Sequence, residues 1–108
     1  MFCMLLILKK EGNNYPIRVK NIIYLKAEGS YCRIKLKTGE EFLESHGLYY
    51  YEDAVMCTGL FIKIGRTRIV NATHIKYYNH EELLLVGEKP IRISDEDYTA
   101  LNQFFKSL

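Results

Sequence analysis

YCRIKLKTGEEFLES, Tyr31–Ser45, alternates apolar and polar residues and is interrupted once, at Thr38-Gly39. Successive side chains of a strand point to opposite faces. Cys32, Ile34 and Leu36 therefore fall on one face, and Arg33, Lys35 and Lys37 on the other. Thr38-Gly39 supplies a tight turn and EEFLES a return strand, so residues 31–45 predict a β-hairpin.

The same period recurs on both sides of this hairpin. YPIRVK alternates from Ile17 to Lys20, with Pro16 tolerated at the start of a strand. NIIYLKA is a mostly apolar run and predicts a buried strand. HIKYYN and LLLVG flank a turn at Asn79–Glu82, and KPIRIS is a further short strand. Helical spacing is found twice. GLYYYEDAVMC places Leu48, Tyr51, Ala54 and Val55 on one stripe, with Gly59 beyond it as a stop signal. SDEDYTALNQFFKSL starts with Ser94 as N-cap and Asp97 at the position of a capping box, and its three acids sit at the positive end of the helix dipole. The fold class is mainly β, with one or two short helices.

The chain has 108 residues, enough for a single domain with its own core, so residues 1–108 are taken as one unit. Apolar residues make up 48% and charged residues 26%, which excludes a disordered segment. MFCMLLILKK at the start is too short in its apolar run, and has its lysines on the wrong side, for a signal peptide. A buried first strand followed by a turn is expected over residues 1–15 instead. No segment approaches the ~20 apolar residues of a membrane span, so membrane insertion is not expected. Cys3, Cys32 and Cys57 are odd in number and widely spaced. That pattern argues against a disulfide framework or a zinc knuckle and for a reducing cytoplasm, with Cys3 and Cys57 as buried apolar fillers.

The net charge of +2 conceals a block pattern. Met1–Lys37 holds eight basic residues against two acidic ones, Thr38–Leu60 holds five acids and no base, and Glu81–Leu108 is acidic on balance. Between the last two lies FIKIGRTRIVNATHIKYYN, Phe61–Asn79, whose charges (Lys63, Arg66, Arg68 and Lys76) are all positive. Arginine can address a guanine edge or a phosphate with two parallel hydrogen bonds, and a threonine hydroxyl can add another to phosphate. A carboxylate facing phosphate is penalised by repulsion and by desolvation. KIGRTRIVN, with Lys63, Arg66, Thr67 and Arg68, satisfies all of these demands. An RNA-binding sheet or an acidic protein partner would select similar residues. Asn71 is expected to tie a turn together rather than to touch a ligand.

Motifs for catalysis are missing. His46, His74 and His80 fall in different elements without metal-ligand spacing, and His74 reads as structural. No phosphate loop and no nucleophile elbow occurs, so no enzyme, metal or cofactor is expected.

The order of motifs adds a resemblance. Ile23, Tyr24, Leu25, Ala27, Gly29, Ser30 and Tyr31 form one block. Phe61, Lys63, Ile64, Arg66, Thr67, Ile69, Val70 and Asn71 form a second, and Ile91, Ile93 and Ser94 a third. In this order, over about residues 16–108, the chain resembles the LytTR-type DNA-binding domain, the output domain of the LytR/AlgR group of bacterial transcription regulators. The resemblance implies an elongated arrangement of small antiparallel sheets whose loops enter successive major grooves. It implies DNA contacts from Tyr31, Cys32 and Arg33, from Arg66 with Thr67 and Arg68 beside it, and from the junction at Ser94. It also implies double-stranded promoter DNA as partner, with two copies on tandem direct repeats, and a receiver domain or sensor outside this chain. Two positions depart from the family pattern. Gly65 stands where the motif usually has His, and Asp95-Glu96-Asp97 follows Ser94 where basic residues are common. The alternative implied by those acids is a protein-interaction module that keeps the fold but binds DNA weakly or not at all.

Overall fold

A strand apolar on both faces has to be covered on both, and Ile22–Glu28 is that strand. In the computed structural model, which describes residues 4–108, it lies at the centre of a five-stranded antiparallel sheet. The elements run β1 (Leu5–Lys10), β2 (Asn13–Arg18), β3 (Ile22–Glu28), β4 (Tyr31–Leu36), β5 (Glu41–Glu44), α1 (Leu48–Met56), β6 (Phe61–Ile64), β7 (Arg68–Asn71), β8 (Ile75–Tyr78), β9 (Glu82–Leu85), β10 (Ile91–Arg92) and α2 (Asp95–Lys106). The central sheet has the order β5-β4-β3-β7-β6; β1-β2 forms a separate hairpin and β10-β9-β8 a third sheet. The mainly β class, the small antiparallel sheets and the two helices agree with the sequence, and principal extents of 42 × 29 × 23 Å make the body elongated.

Each face of the central sheet carries its own core. On one, Leu25, Ile34, Phe42, Phe61 and Ile69 meet Leu8 of β1 and Leu48, Tyr51 and Val55 of α1. On the other, Ile23, Ile62, Ile64 and Val70 meet Leu83 and Leu85 of β9 and Leu101 of α2. Alternation explains the sorting: Ile69 and Val70 are neighbours in sequence and serve opposite cores. In β3 the alternation slips, with a register irregularity between Ile22 and Tyr24 that turns both Ile23 and Tyr24 to the second core. Strand β4 commits Cys32, Ile34 and Leu36 to the first core, leaving Arg33 and Lys35 on the second face.

Two buried polar residues join the layers. Asn71 is fully buried: its Nδ2 donates to the carbonyls of Lys20 at 3.2 Å and Ile22 at 2.9 Å, and its Oδ1 accepts from the Thr73 amide at 3.0 Å and the Thr73 hydroxyl at 2.7 Å. The expected structural role of Asn71 therefore holds. Glu44 accepts from the Lys9 amide of β1 and from the Tyr51 hydroxyl of α1, tying hairpin and helix to the sheet edge. Burial, with Glu44 beside it, drives the Tyr51 phenol well above its ordinary pKa.

Helix α2 has the capping box that its sequence predicts: Ser94 Oγ accepts from the Asp97 amide and Asp97 Oδ2 from the Ser94 amide, each at 3.1 Å. Helix α1 has Gly47 at its N-cap and no side-chain cap.

Several expectations need correcting. The strand read from Ile17 to Lys20 ends at Arg18, because Val19–Asn21 turns as one 3-10 segment that buries Val19. The first strand is not buried throughout: only Leu8 is, while Leu5 and Ile7 are exposed on the outer face of the two-stranded hairpin. His74 belongs to the 3-10 turn Ala72–His74 that precedes β8, not to the strand. Cys57 is exposed and disulfide-bonded rather than a buried filler, and Cys3 lies outside the described residues.

Two outcomes are expected. Asn71→Leu removes the partner of the buried Ile22 carbonyl and of the half-buried Lys20 carbonyl and Thr73 amide, and should lower unfolding stability by on the order of 2 kcal/mol in urea titrations. A loss under about 1 kcal/mol would contradict the tie described here. Cys32 is completely buried and desolvation pushes its thiol up to about 11. At pH 8 the folded protein should therefore not be alkylated at Cys32, as read by peptide mass spectrometry, until urea unfolds it. Because the folded-state pKa is raised, the stability linked to this thiol is complete below the ordinary thiol range and is lost as pH rises toward 11.

Candidate nucleic-acid interface

Three segments far apart in sequence meet at one end of the central sheet. The β3–β4 and β6–β7 turns lie side by side, because the Ala27 amide donates to the Thr67 carbonyl at 2.8 Å. The start of α2 joins them: the Gly65 amide donates to Asp97 Oδ1 at 3.0 Å. Asp97 thus uses one oxygen for its own helix cap and the other to hold the β6–β7 turn. Gly65 has a φ of +62°, a left-handed value that glycine adopts without strain, and the tight turn leaves Arg66 and Thr67 exposed at its tip.

Register sets the charges on the sheet beside this edge. Lys26 of β3 is paired with Arg33 of β4 on one side and with Arg68 of β7 on the other. Paired residues of neighbouring strands share a face, so three cations stand in a row across the sheet. They are not equivalent. Arg33 Nε and Nη2 donate to Glu28, the latter at 3.1 Å, and Nη1 donates to Glu41 at 2.9 Å. The hydrogen bond from Arg33 holds the Glu28 carboxyl below its usual range. Lys26 and Arg68 form no ion pair among the described residues, and neither does Arg66.

The residues singled out from the sequence divide accordingly. Tyr31, 48% exposed, stands at the start of β4 beside the turns, and Arg66, Thr67 and Arg68 form and flank the tip. Cys32 does not join them. Its side chain is fully buried in the first core, so its thiol cannot reach a ligand in this structure. The alternation that sends Arg33 outward sends Cys32 inward. Arg33 is on the right face but is already bound to two carboxylates. Lys63 points to the opposite side of the sheet, where its Nζ lies 3.1 Å from Glu52 of α1.

Sequence reasoning missed Lys26, Lys89 and Arg92. They line a cleft of about 650 Å³ between the uncovered half of the sheet and the β9–β10 turn, together with Lys35 and Arg68. Lys26 was hidden inside an apolar run, and Lys89 and Arg92 inside a short strand followed by acids. Only cross-strand register brings them to Arg68. Asp95 and Glu96 are exposed at the third segment, so its free carboxylates face solvent. Among the described residues no group of three or more His, Cys, Asp or Glu is placed to hold a metal, and no helix is long and apolar enough to cross a membrane.

Comparison with known proteins accords with this architecture. The structure superposes on a LytTr DNA-binding domain from Bacillus cereus, described there as part of a methyl-accepting/DNA response regulator. The TM-score is 0.75 at 19% sequence identity, covering 94% of this chain and 96% of that one. At this identity the likeness concerns the fold. No curated protein matches the sequence. The family model of the LytTr DNA-binding domain matches residues 12–106, nearly the whole chain. With its three sheets, its turn-bearing edge and that match, the chain belongs to the LytTr DNA-binding domain family.

Proposed function

We propose that this domain binds double-stranded DNA in a sequence-specific way, as the output module of a bacterial transcription regulator, with the edge formed by the β3–β4 and β6–β7 turns against the duplex. One observation carries the reading: in a member of a DNA-binding family, the exposed arginine at the turn tip and its neighbours Arg68 and Lys26 form no ion pair among the described residues. On the same face of the sheet the cations Arg33 and Lys35 are paired, and on the opposite face so is Lys63. An unpaired guanidinium on a protruding tight turn fits the major groove, where a bidentate pair with a guanine edge is worth about 1–3 kcal/mol of discrimination.

Arg66 is assigned to base or phosphate contact at the tip, Thr67 to a phosphate oxygen and Arg68 to the backbone, with Tyr31 packing beside them. Arg33 and Lys63 contribute little, because each would first have to leave a carboxylate. Asp97 supports the site indirectly by fixing Gly65, while Asp95 and Glu96 weaken the third segment as a phosphate contact. Two copies on tandem direct repeats, and a receiver or sensor supplied from outside this chain, complete the reading. Within it the domain acts inside the bacterial cell without chemistry of its own.

The test is a binding titration at several salt concentrations, on duplexes selected from a random-sequence pool and on scrambled controls. Arg66→Ala should weaken binding to the selected duplex by about tenfold or more and narrow the gap to the scrambled one. Arg66→Ala with Arg68→Ala should also reduce the slope of log K against log salt by about 1 to 2. Should the double variant keep both affinity and slope, the turn does not read DNA, and an interaction module with the same fold becomes the better account.

A further inference from the structure

The cleft beside the turn edge has the dimensions of a ligand site and a one-sided charge. Its volume of about 650 Å³ falls within the roughly 300–1,000 Å³ common for small-molecule pockets. The floor is the part of the central sheet left uncovered by the third sheet, with Tyr24, Lys26, Lys35 and Arg68; the wall is the turn from Gly87 to Pro90 with Ile91 and Arg92 of β10. Among the described residues Glu88 is the only carboxylate in the lining, and Lys35 occupies it at 3.0 Å. Lys26, Arg68, Lys89 and Arg92 form no ion pair among the described residues. Adjacent cations around a concavity repel one another, by about 1 kcal/mol for a pair 4 Å apart in bulk water and more beside a low-dielectric wall. A polyanion removes that repulsion and gains charge-assisted hydrogen bonds from lysine and from the planar arginine forks.

We propose that this cleft is a phosphate-binding site, adjoining the turn tip through Arg68 but distinct from Arg66 and Thr67, whose phosphate oxygens come from the backbone of a DNA strand running past the turn or from a free phosphorylated small molecule. The first source rests on the DNA reading above; the second does not. Monocarboxylates fit less well, since one negative charge leaves most of the cations uncompensated. Glu88 sets the threshold of the site: by holding Lys35 it lowers the positive charge offered to the ligand.

Two arms test this, using the whole chain with Lys89→Ala/Arg92→Ala and with Glu88→Gln, each checked for folding by circular dichroism. Lys89 lies on the β9–β10 turn and Arg92 on the short strand β10, and both are exposed, so the double variant should keep the fold. In the first arm, affinity for a duplex is measured at four salt concentrations. The double variant should lower the slope of log K against log salt by about 1.8, two contacts at about 0.9 each, whatever the sequence of the duplex. In the second arm, sodium tripolyphosphate is titrated and the amide resonances of Gly87 and Tyr24 are followed. The wild type should show saturable shifts, weakened at least tenfold in the double variant and strengthened several-fold in Glu88→Gln. A response in the first arm alone assigns the site to the DNA backbone, and one in the second alone to a free phosphorylated molecule. Responses in both assign a site at which such a molecule competes with DNA. An unchanged salt slope together with no saturable shift overturns the proposal. If duplex binding still depends on Arg66 in that case, the cleft inference fails and the DNA reading stands. If the wild type binds no duplex at all, the tripolyphosphate arm alone decides the cleft.

Discussion

Strand β3 sends Ile22 and Leu25 into one core and Ile23 into another, and the rest of the architecture follows from this double burial. One strand cannot cover itself, so each face needs a second layer. The β1–β2 hairpin and α1 provide one, and the β8–β10 sheet with α2 provides the other. The layers differ in extent. The apolar contacts of the second reach across β3, β7 and β6 but not β4, whose outward residues are Arg33 and Lys35 and which that layer meets through the Glu88–Lys35 ion pair. The uncovered strip of sheet is thus a consequence of how the apolar residues are divided, and it is where the cationic cleft opens. Asn71 secures the seam, since its amide bridges to carbonyls 49 and 51 residues away in sequence.

Charge pairing separates scaffold from surface. The bonds from Arg33 to Glu28 and Glu41 and from Lys63 to Glu52 hold neighbouring elements in register, although exposed pairs of this kind contribute only about 0–1 kcal/mol each. Lys26 and Arg68, by contrast, stand directly opposite each other on adjacent strands, and neither forms an ion pair among the described residues. Like charges in that arrangement destabilise a sheet by a few tenths of a kcal/mol. A small instability of this sort, beside an exposed turn that carries another arginine, is what a surface awaiting an anion presents.

The acids that follow Ser94 illustrate how one residue serves two ends. In sequence they look like a favourable helix start and a poor neighbour for phosphate. In the structure Asp97 is drawn inward, capping α2 with one oxygen and holding the Gly65 amide with the other. The helix dipole and the turn conformation are stabilised by the same carboxylate, so the geometry of the arginine-bearing turn is linked to the start of α2. Asp95 and Glu96 have no such role and remain on the surface.

Local pattern carried much of this into the sequence. The hairpin at residues 31–45, the capping box at Ser94 and Asp97, the helix stripe of Leu48, Tyr51 and Val55 and the buried tie at Asn71 are all legible there. Each depends on neighbours within a few residues, or on a side chain whose chemistry permits few roles. The ordered motif blocks identified the family for the same reason. What sequence could not supply was pairing between strands. Whether Arg33 is free or bound, whether Lys63 faces the turns or α1, and whether Lys26 meets Arg68 are questions of register and of which layer covers which face. The inward turn of Cys32 follows from the alternation already visible, yet its exclusion from the surface required a core for it to enter. Tertiary structure decided these points because electrostatic partners are selected by distances of a few ångströms between residues far apart in the chain, and that information exists only once the sheet has closed.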